Sequence, residues 1–506
     1  MGQIVIVGFP DGAKIPGVYG DTKFGASGIQ LGAAPLRLLL VGQKTAAGSM
    51  VSDQDIKQCF SSDEADDLVG PGSPLGNMVV AALAQSNGEP NGFELWLCPI
   101  ADPTGTPASA AATLTVANVA GLGGSIYIFI GRYRIEVNIA ANTSAADAAA
   151  AIEAAVEAEP RVPVTVGVVG AVATFTWKVP GVVGNDGIIA LDLSLAPTTQ
   201  TYTLGGGTSI DATTRRFGGG TGTPATTNGL AITLPEFYHR VVWQMNDSTS
   251  LAAIEAQCDA KAAPGVEMPE HYATAGNGSL AAADSLAQTT LNAHRFQFCW
   301  QENAVDHPSE TAAAMAAARA MREGSMPNQN YDGLVLKGLR GQVRKADWPT
   351  RAEQQSALDN GITPLTSNAA GEVVVIRAVT TRSQDGALPD YRTLDVSEAV
   401  VPDAVRLDAG ALWLSEYREA NKHNAPDPSG GRAAPAGVAT PTGWVQRYTQ
   451  RLRELEEALW ITQVTENPMR AEWNTVGKRI MSAIPVVPLP INHQIGVQVL
   501  QMSPTL

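Results

Sequence analysis

The sequence predicts a multidomain protein of mixed α/β class: a layered sheet-and-helix core, an inserted mainly-β outer domain, and extended strand-forming arms at both ends. Three observations predict it. Short apolar runs alternate with helical periodicity before residue 104 and after residue 226. Two near-identical segments, TGTPAS at 104–109 and TGTPAT at 221–226, bracket a stretch with its own strand–helix–strand order. β-Forming residues gather at both chain ends. At 506 residues the chain exceeds one compact core, and roughly three or four domains are expected.

The elements follow in order. Residues 1–35 read as a Gly-rich arm with strand-like pieces at Gln3–Val7 and Gly17–Phe24. The first part of the core, 36–103, opens with Arg37–Val41 (RLLLV), an apolar run closed by Gly42 that reads as a buried strand. Asp63–Ser86 is helical with a break near Gly70–Pro74, and Phe93–Ile100 (FELWLCPI) is a second strand. The insert, 104–226, is entered and left through flexible Gly/Thr/Pro linkers. Strands are expected in it at Ala112–Val116, Ser125–Ile139, Val164–Val168 and Ala173–Trp177, with an Ala-rich helix capped by Thr143 or Ser144.

The middle domain, 227–395, carries three β–α units: Arg240–Met245 with Ser250–Ala262, His271–Ala275 with Leu280–Ala293, and Arg295–Trp300 with Pro308–Arg322. Such units in series build a mostly parallel sheet. A polar stretch, 341–372, precedes a strand at Glu372–Thr380. The part 396–487 completes the inner core with a helix from Val396 to Asn421, a Pro/Gly-rich loop at 424–441, a helix at Trp444–Trp460 and a strand at Asn474–Pro485. The final arm, 488–506, carries Gln494–Met502.

Composition narrows the function. Acidic residues outnumber basic ones 49 to 34, a net charge of −15, which opposes general nucleic-acid binding. Only 16% of residues are charged while 44% are hydrophobic, so a large surface is readily desolvated against a partner, as in an assembly subunit. Cys59, Cys98, Cys258 and Cys299 form no CxxC and read as reduced core thiols of a protein made in a cytoplasm. The opening MGQIVIVGFPDG lacks a basic leader, and no apolar run approaches the ~18 residues of a membrane span, so neither secretion nor membrane insertion is expected.

No catalytic, cofactor or metal site is expected. Gly276-Asn277-Gly278 stands between a strand and a helix, where phosphate loops occur, but lacks the third glycine of the dinucleotide fingerprint; no GxxxxGK[ST] or GxSxG occurs. Gly205–Gly207 and Gly218–Gly220 read as linker glycines. His307 with Glu310 has no second ligand pair at metal spacing, and His294 stands apart. Asp63, Glu64, Asp66 and Asp67 suit a helix start, where the dipole favours acids.

Two features invite partners. In Trp444–Trp460, Val445, Tyr448, Leu452, Leu455 and Leu459 form one apolar stripe. Its charges run Arg447, Arg451, Arg453 and then Glu454, Glu456, Glu457, against the dipole. A solvated face and a pattern matched to a neighbouring protein both explain that order. At the chain ends, Ile4, Ile6, Val18, Tyr19, Val497 and Val499 lie in strand-like pieces that local chain does not cover, so pairing with neighbouring subunits is expected.

Several stretches resemble the sheath proteins of Mu-like contractile phage tails. They are Ile15-Pro16-Gly17-Val18-Tyr19 followed by Leu38–Gln43 and Ala47-Gly48; Asp63–Met78 (DEADDLVGPGSPLGNM), with Val69 where the family has an aromatic; and Glu94–Pro99, similar to a buried "ELW" strand. The resemblance implies a non-enzymatic tail sheath subunit without cofactor. Such subunits stack as hexameric rings in a helical array around a tail tube, bounded by baseplate and terminator proteins, and contract to drive the tube through the host envelope. It further implies assembly in the host cytoplasm, a place in the virion tail, and no contact with nucleic acid. Other readings are a doubly wound nucleotide-dependent enzyme built on 236–322, a tail-tube or surface-layer protein, and a secretion-system or bacteriocin sheath.

Overall fold

The computed structural model describes residues 35–263, 266–342, 345–475 and 478–491. The expected strands Gln3–Val7, Gly17–Phe24 and Gln494–Met502 lie outside the described residues, and with them Ile4, Ile6, Val18, Tyr19, Val497 and Val499.

The described chain opens with β1 (Leu36–Gln43), the short β2 (Lys57–Gln58), α1 (Ser62–Val69), α2 (Pro74–Ala84) and β3 (Phe93–Ile100). The break between α1 and α2 has a local cause. Gly70 takes a φ of 80°, which glycine tolerates; Ser73 then caps the restart by accepting from the Gly76 N–H, with Pro74 at the first helical position.

Residues 111–216 add β4 (Ala111–Ala117), β5 (Gly124–Ile130), β6 (Tyr133–Ile139), α3 (Ala145–Glu157), β7 (Val164–Val169), β8 (Val172–Trp177), β9 (Ile188–Asp192), β10 (Thr201–Gly205), β11 (Thr208–Ser209) and β12 (Thr214–Arg216). They pair antiparallel in two sheets, β10-β4-β8-β7 and β11-β12-β9-β5-β6, around an apolar cluster of their own. Ser144 is the α3 cap, accepting from the Asp147 N–H. The expected single strand Ser125–Ile139 is instead a hairpin. Gly131 and Arg132 form its two-residue turn, and Gly131 has the positive φ (57°) that the first position of a II′ turn requires.

The linkers differ from expectation too. They pin each other: Ala108 N–H donates to Thr221 Oγ1 and Thr221 N–H returns to the Ala108 carbonyl, both at 3.0 Å. Nor are all the glycines linkers, since Gly205 ends β10 and Gly207, φ 49°, turns the chain into β11.

After α4 (Thr227–Thr233) come β13 (Arg240–Trp243), α5 (Ser248–Ala262), β14 (His271–Gly276), α6 (Leu280–Asp284), β15 (Phe296–Trp300), α7 (Pro308–Glu323), β16 (Val335–Leu336), α8 (Arg351–Asp359), β17 (Thr363–Ser367) and β18 (Val373–Val375). They complete a nine-stranded sheet ordered β16-β18-β17-β15-β14-β13-β1-β3-β2. The run β3, β1, β13, β14, β15, β17 is parallel; β2, β16 and β18 make the margins antiparallel. The mixed α/β class is therefore as expected. The stretch 341–372, expected only as polar, contains α8 and β17, and the helix after β14 passes at Ser285 into a π turn, Ser285–Leu291.

The run RLLLV is apolar because β1 is covered twice. Leu38 and Leu40 pack with α2 and α7, while Leu39 and Val41 belong to the cluster on the other face, which includes Leu251 and Ile254 of α5 and Ala283 of α6. Each buried leucine contributes about 1.5–3 kcal/mol. Helix α7 comes close because seven of its sixteen residues are alanine, and the buried charges at its far end are answered: Arg319 Nε donates to Glu323 Oε1 at 2.9 Å, Tyr331 reaches the same oxygen, and Arg240 pairs with Glu323 from β13.

Two small pairs, β19 (Gln384–Asp385) with β20 (Leu388–Pro389) and β21 (His423–Asn424) with β22 (Val438–Ala439), flank α9 (Val396–Trp413). The helix ends in a π turn, Leu414–Arg418, short of the expected Asn421. Next come α10 (Pro441–Glu457), β23 (Ile461–Thr462), β24 (Arg470–Asn474), β25 (Arg479–Ala483) and β26 (Val487–Pro488). The expected strand Asn474–Pro485 is thus the end of β24, a turn with Lys478 at φ 48°, and β25.

Candidate functional site

In open parallel sheets, ligands sit beyond the carboxyl ends of the strands, where the strand order switches direction. Here that place is beside β1, with β3 on one flank and β13 on the other, and the chain fills it itself. Gln43, ending β1, donates to Asp102 Oδ1 (2.7 Å) and the Pro180 carbonyl (2.9 Å). Asn246, after β13, reaches Asp186 Oδ2 at 3.1 Å. Arg216 of β12 donates to the Asn277 carbonyl at 2.8 Å, while the Asn277 amide donates to the Asp186 carbonyl at 2.8 Å. The Gly276–Gly278 turn thus holds a guanidinium from the insert, and Gly278 accepts the Trp300 indole N–H.

The other chemical candidates resolve in the same way. His307 is the N-cap of α7: Nδ1 accepts from the Ser309 N–H and Nε2 bonds the Val183 carbonyl at 2.9 Å. Glu310 pairs with Arg132 from the β5–β6 turn, 2.6 Å away. His294 bonds Thr393 on the surface, and burial lowers its pKa. In the acidic cluster, Glu64 accepts from the Phe60 N–H at 2.8 Å, while Asp66 and Asp63 pair with Arg161 of the insert. No group of His, Cys, Asp or Glu able to hold a metal occurs among the described residues, where no helix is long and apolar enough to cross a membrane. All four cysteines are buried and free, and burial pushes Cys59, Cys98 and Cys299 up to about 12.

The C-terminal unit is where surfaces remain open. Thr440 caps α10 with Pro441 behind it, so the helix starts earlier than expected and stops at Glu457. Trp444, Tyr448, Leu452 and Leu455 are buried against α9, whereas Leu459, beyond the helix with φ 64°, is 55% exposed. The reversed charge order has an internal counterpart. Arg447 forks onto Glu416 in the π turn after α9, with Nε at 2.8 Å. Arg451 grips Asp408, 2% exposed in its side chain, and Glu454, each at 2.9 Å. Arg453 is exposed and has no ion pair among the described residues. Sequence reasoning missed Asp408 and Glu416 because the pairing spans more than thirty residues, as 31 separate Arg447 from Glu416.

Helix α9 ties this unit to the central sheet. Arg295 holds Asp403 through both nitrogens, at 2.7 and 2.8 Å, and His271 Nε2 lies 3.1 Å from the same carboxylate. Burial would raise the Asp403 pKa, but His271 and Arg295 hold it well below the usual carboxylate range. Burial lowers His271 itself to about 3. Opposite α10 stands the hairpin β24–β25, joined from Arg470↔Ala483 to Asn474↔Arg479. Ala471 and Ile480 pack on the C-terminal core, while Arg470, Glu472, Met481 and Ala483 face outward. Neither strand pairs with a third strand among the described residues. Between hairpin and helices runs a groove of about 790 Å³, lined by Val405, Ala409, Trp413, Trp444, Ile480 and Val486 among others.

No protein-family model and no curated protein matches the chain. Solved structures do. A sheath tail protein from Desulfitobacterium hafniense is similar at 12% identity over 94% of this chain and 97% of that one, with a TM-score of 0.49. A sheath tail protein from Listeria innocua is similar at 12% identity over 91% and 93%, TM-score 0.49. A chain of the anti-feeding prophage baseplate is similar at 11% identity over 97% and 100%, TM-score 0.45.

Proposed function

We propose that the chain is a structural, non-enzymatic tail sheath subunit. It polymerises with itself as stacked hexameric rings around a tail tube between baseplate and terminator, and contracts to deliver a genome. The observation that carries this reading is the hairpin β24–β25, a sheet of two strands that no third strand joins among the described residues. A two-stranded sheet is marginal alone and gains main-chain hydrogen bonds from added strands. The chain carries such strands in its own sequence, around Ile4, Ile6, Val18 and Tyr19 at one end and Val497 and Val499 at the other. Arms of neighbouring copies add to the hairpin, so subunits stay linked while their bodies move. The resemblance of Ile15–Tyr19, Leu38–Gln43 and Glu94–Pro99 to Mu-like sheaths supports the same reading. On α10, Arg453 is the one of the three arginines without an ion pair among the described residues and would meet a tube or neighbour; Arg447 and Arg451 serve the fold. Negative-stain microscopy of the purified chain tests the proposal. Long, hollow, striated tubes are expected, and monodisperse small particles under assembly conditions contradict it.

A further inference from the structure

The junction between the insert and the central sheet buries an acid that no guanidinium claims. Arg132, at the tip of the β5–β6 turn, gives Nε and Nη2 to Glu310 Oε2, at 3.0 and 2.6 Å. Asp306, just before α7, is 2% exposed. Its Oδ2 accepts the backbone N–H of Arg340, and its Oδ1 has no hydrogen-bond donor among the described residues. The Arg340 guanidinium lies over the Phe129 ring, 3.4 Å from the centroid, and its buried Nη1 makes no hydrogen bond among the described residues. The insert's guanidinium is taken up by Glu310, and Asp306 is left with one backbone N–H and the more distant charges of Arg132 and Arg340.

We propose that the docking of the insert on the sheet is a proton-linked latch, in which Asp306 keeps a proton while the insert is seated and releases it when the insert lifts. A buried carboxylate with one neutral donor and one orphaned oxygen is costly, whereas water admitted by lifting solvates it. The charged groups acting on it are Arg132 from the insert, Glu310 from the start of α7 and Arg340 from the loop after β16, with Tyr133 acting on Arg132 and Glu310 and with Arg134 and Asp192 acting on Arg340. Burial, opposed by Arg132 and reinforced by Glu310, pushes Asp306 up to about 7. An acid raised in the seated state binds its proton more tightly there than in the lifted state. Seating is therefore firmest below the ordinary carboxylate range, weakens as pH rises to about 7, and changes no further above it.

The test is hydrogen exchange of the full chain at pH 5 to 8, corrected for intrinsic rates, read at the first turn of α7 and at the β5–β6 turn. The opening constant is expected to rise by up to about tenfold per pH unit and to level off near neutrality. Asp306→Asn, which keeps the shape and the acceptor, is expected to flatten the profile and match or exceed wild-type protection at pH 8. An equal slope in the variant, or a flat wild-type profile, overturns the proposal. Arg132→Met gives a second reading that does not depend on the first variant folding. Removing the cation strengthens proton retention, so the levelling-off moves to higher pH; an unmoved profile also overturns the latch.

Discussion

The insert and the C-terminal unit are both appended to the central sheet, and they close their surfaces in opposite ways. The insert turns its polar side chains inward to the sheet, with Arg132 on Glu310, Arg161 on Asp63 and Asp66, and Arg216 on Asn277. Its backbone is spent in two antiparallel sheets around its own core. The C-terminal unit spends Arg447 and Arg451 on α9 and the turn after it, and its hairpin β24–β25 pairs with no third strand among the described residues. The insert's sheets of four and five strands stand on a core of their own, whereas a sheet of two strands gains most from an added one.

That contrast is broken most severely at Arg132. Arg132→Ala strands Glu310, whose side chain is 6% exposed, and is expected to lower stability by about 3–5 kcal/mol in chemical denaturation. At the other appendage, Asp408→Ala deprives Arg451 of its buried partner. The expected loss is about 2–3 kcal/mol, below the full cost of a buried pair because Arg451 keeps 13% of its side chain in solvent. Arg447→Gln breaks a half-exposed pair and is expected to cost about 0–1 kcal/mol. Arg453→Gln is expected to leave the thermal transition within about 0.5 kcal/mol of wild type while weakening co-assembly with a tail tube at low salt. A co-assembly profile unchanged across salt assigns Arg453 to a solvated face.

The two appendages were also unequally legible in sequence. The buried strands of the sheet were plain, because a strand covered on both faces, such as Leu38–Val41, must be apolar throughout. The β5–β6 hairpin was hidden because alternation continues across its turn; Gly131 with a following polar residue was the available signal. Helix α8 was hidden because Ala357 alone is buried in it, although Thr350 and Glu353 form a capping box. The charge order of α10 was visible, but its cause was not. Glu416 and Asp408 meet Arg447 and Arg451 only once α9 and α10 pack, and no local pattern encodes that meeting.

Joining of subunits by strands added to β24–β25, as proposed above, is read at the joint itself by hydrogen exchange compared between monomer and assembled tube. Amides of Arg470–Asn474 and Arg479–Ala483 are expected to gain protection on assembly, while those of β4–β12 in the insert change little. Tubes that form with the hairpin amides exchanging as fast as in the monomer contradict the account.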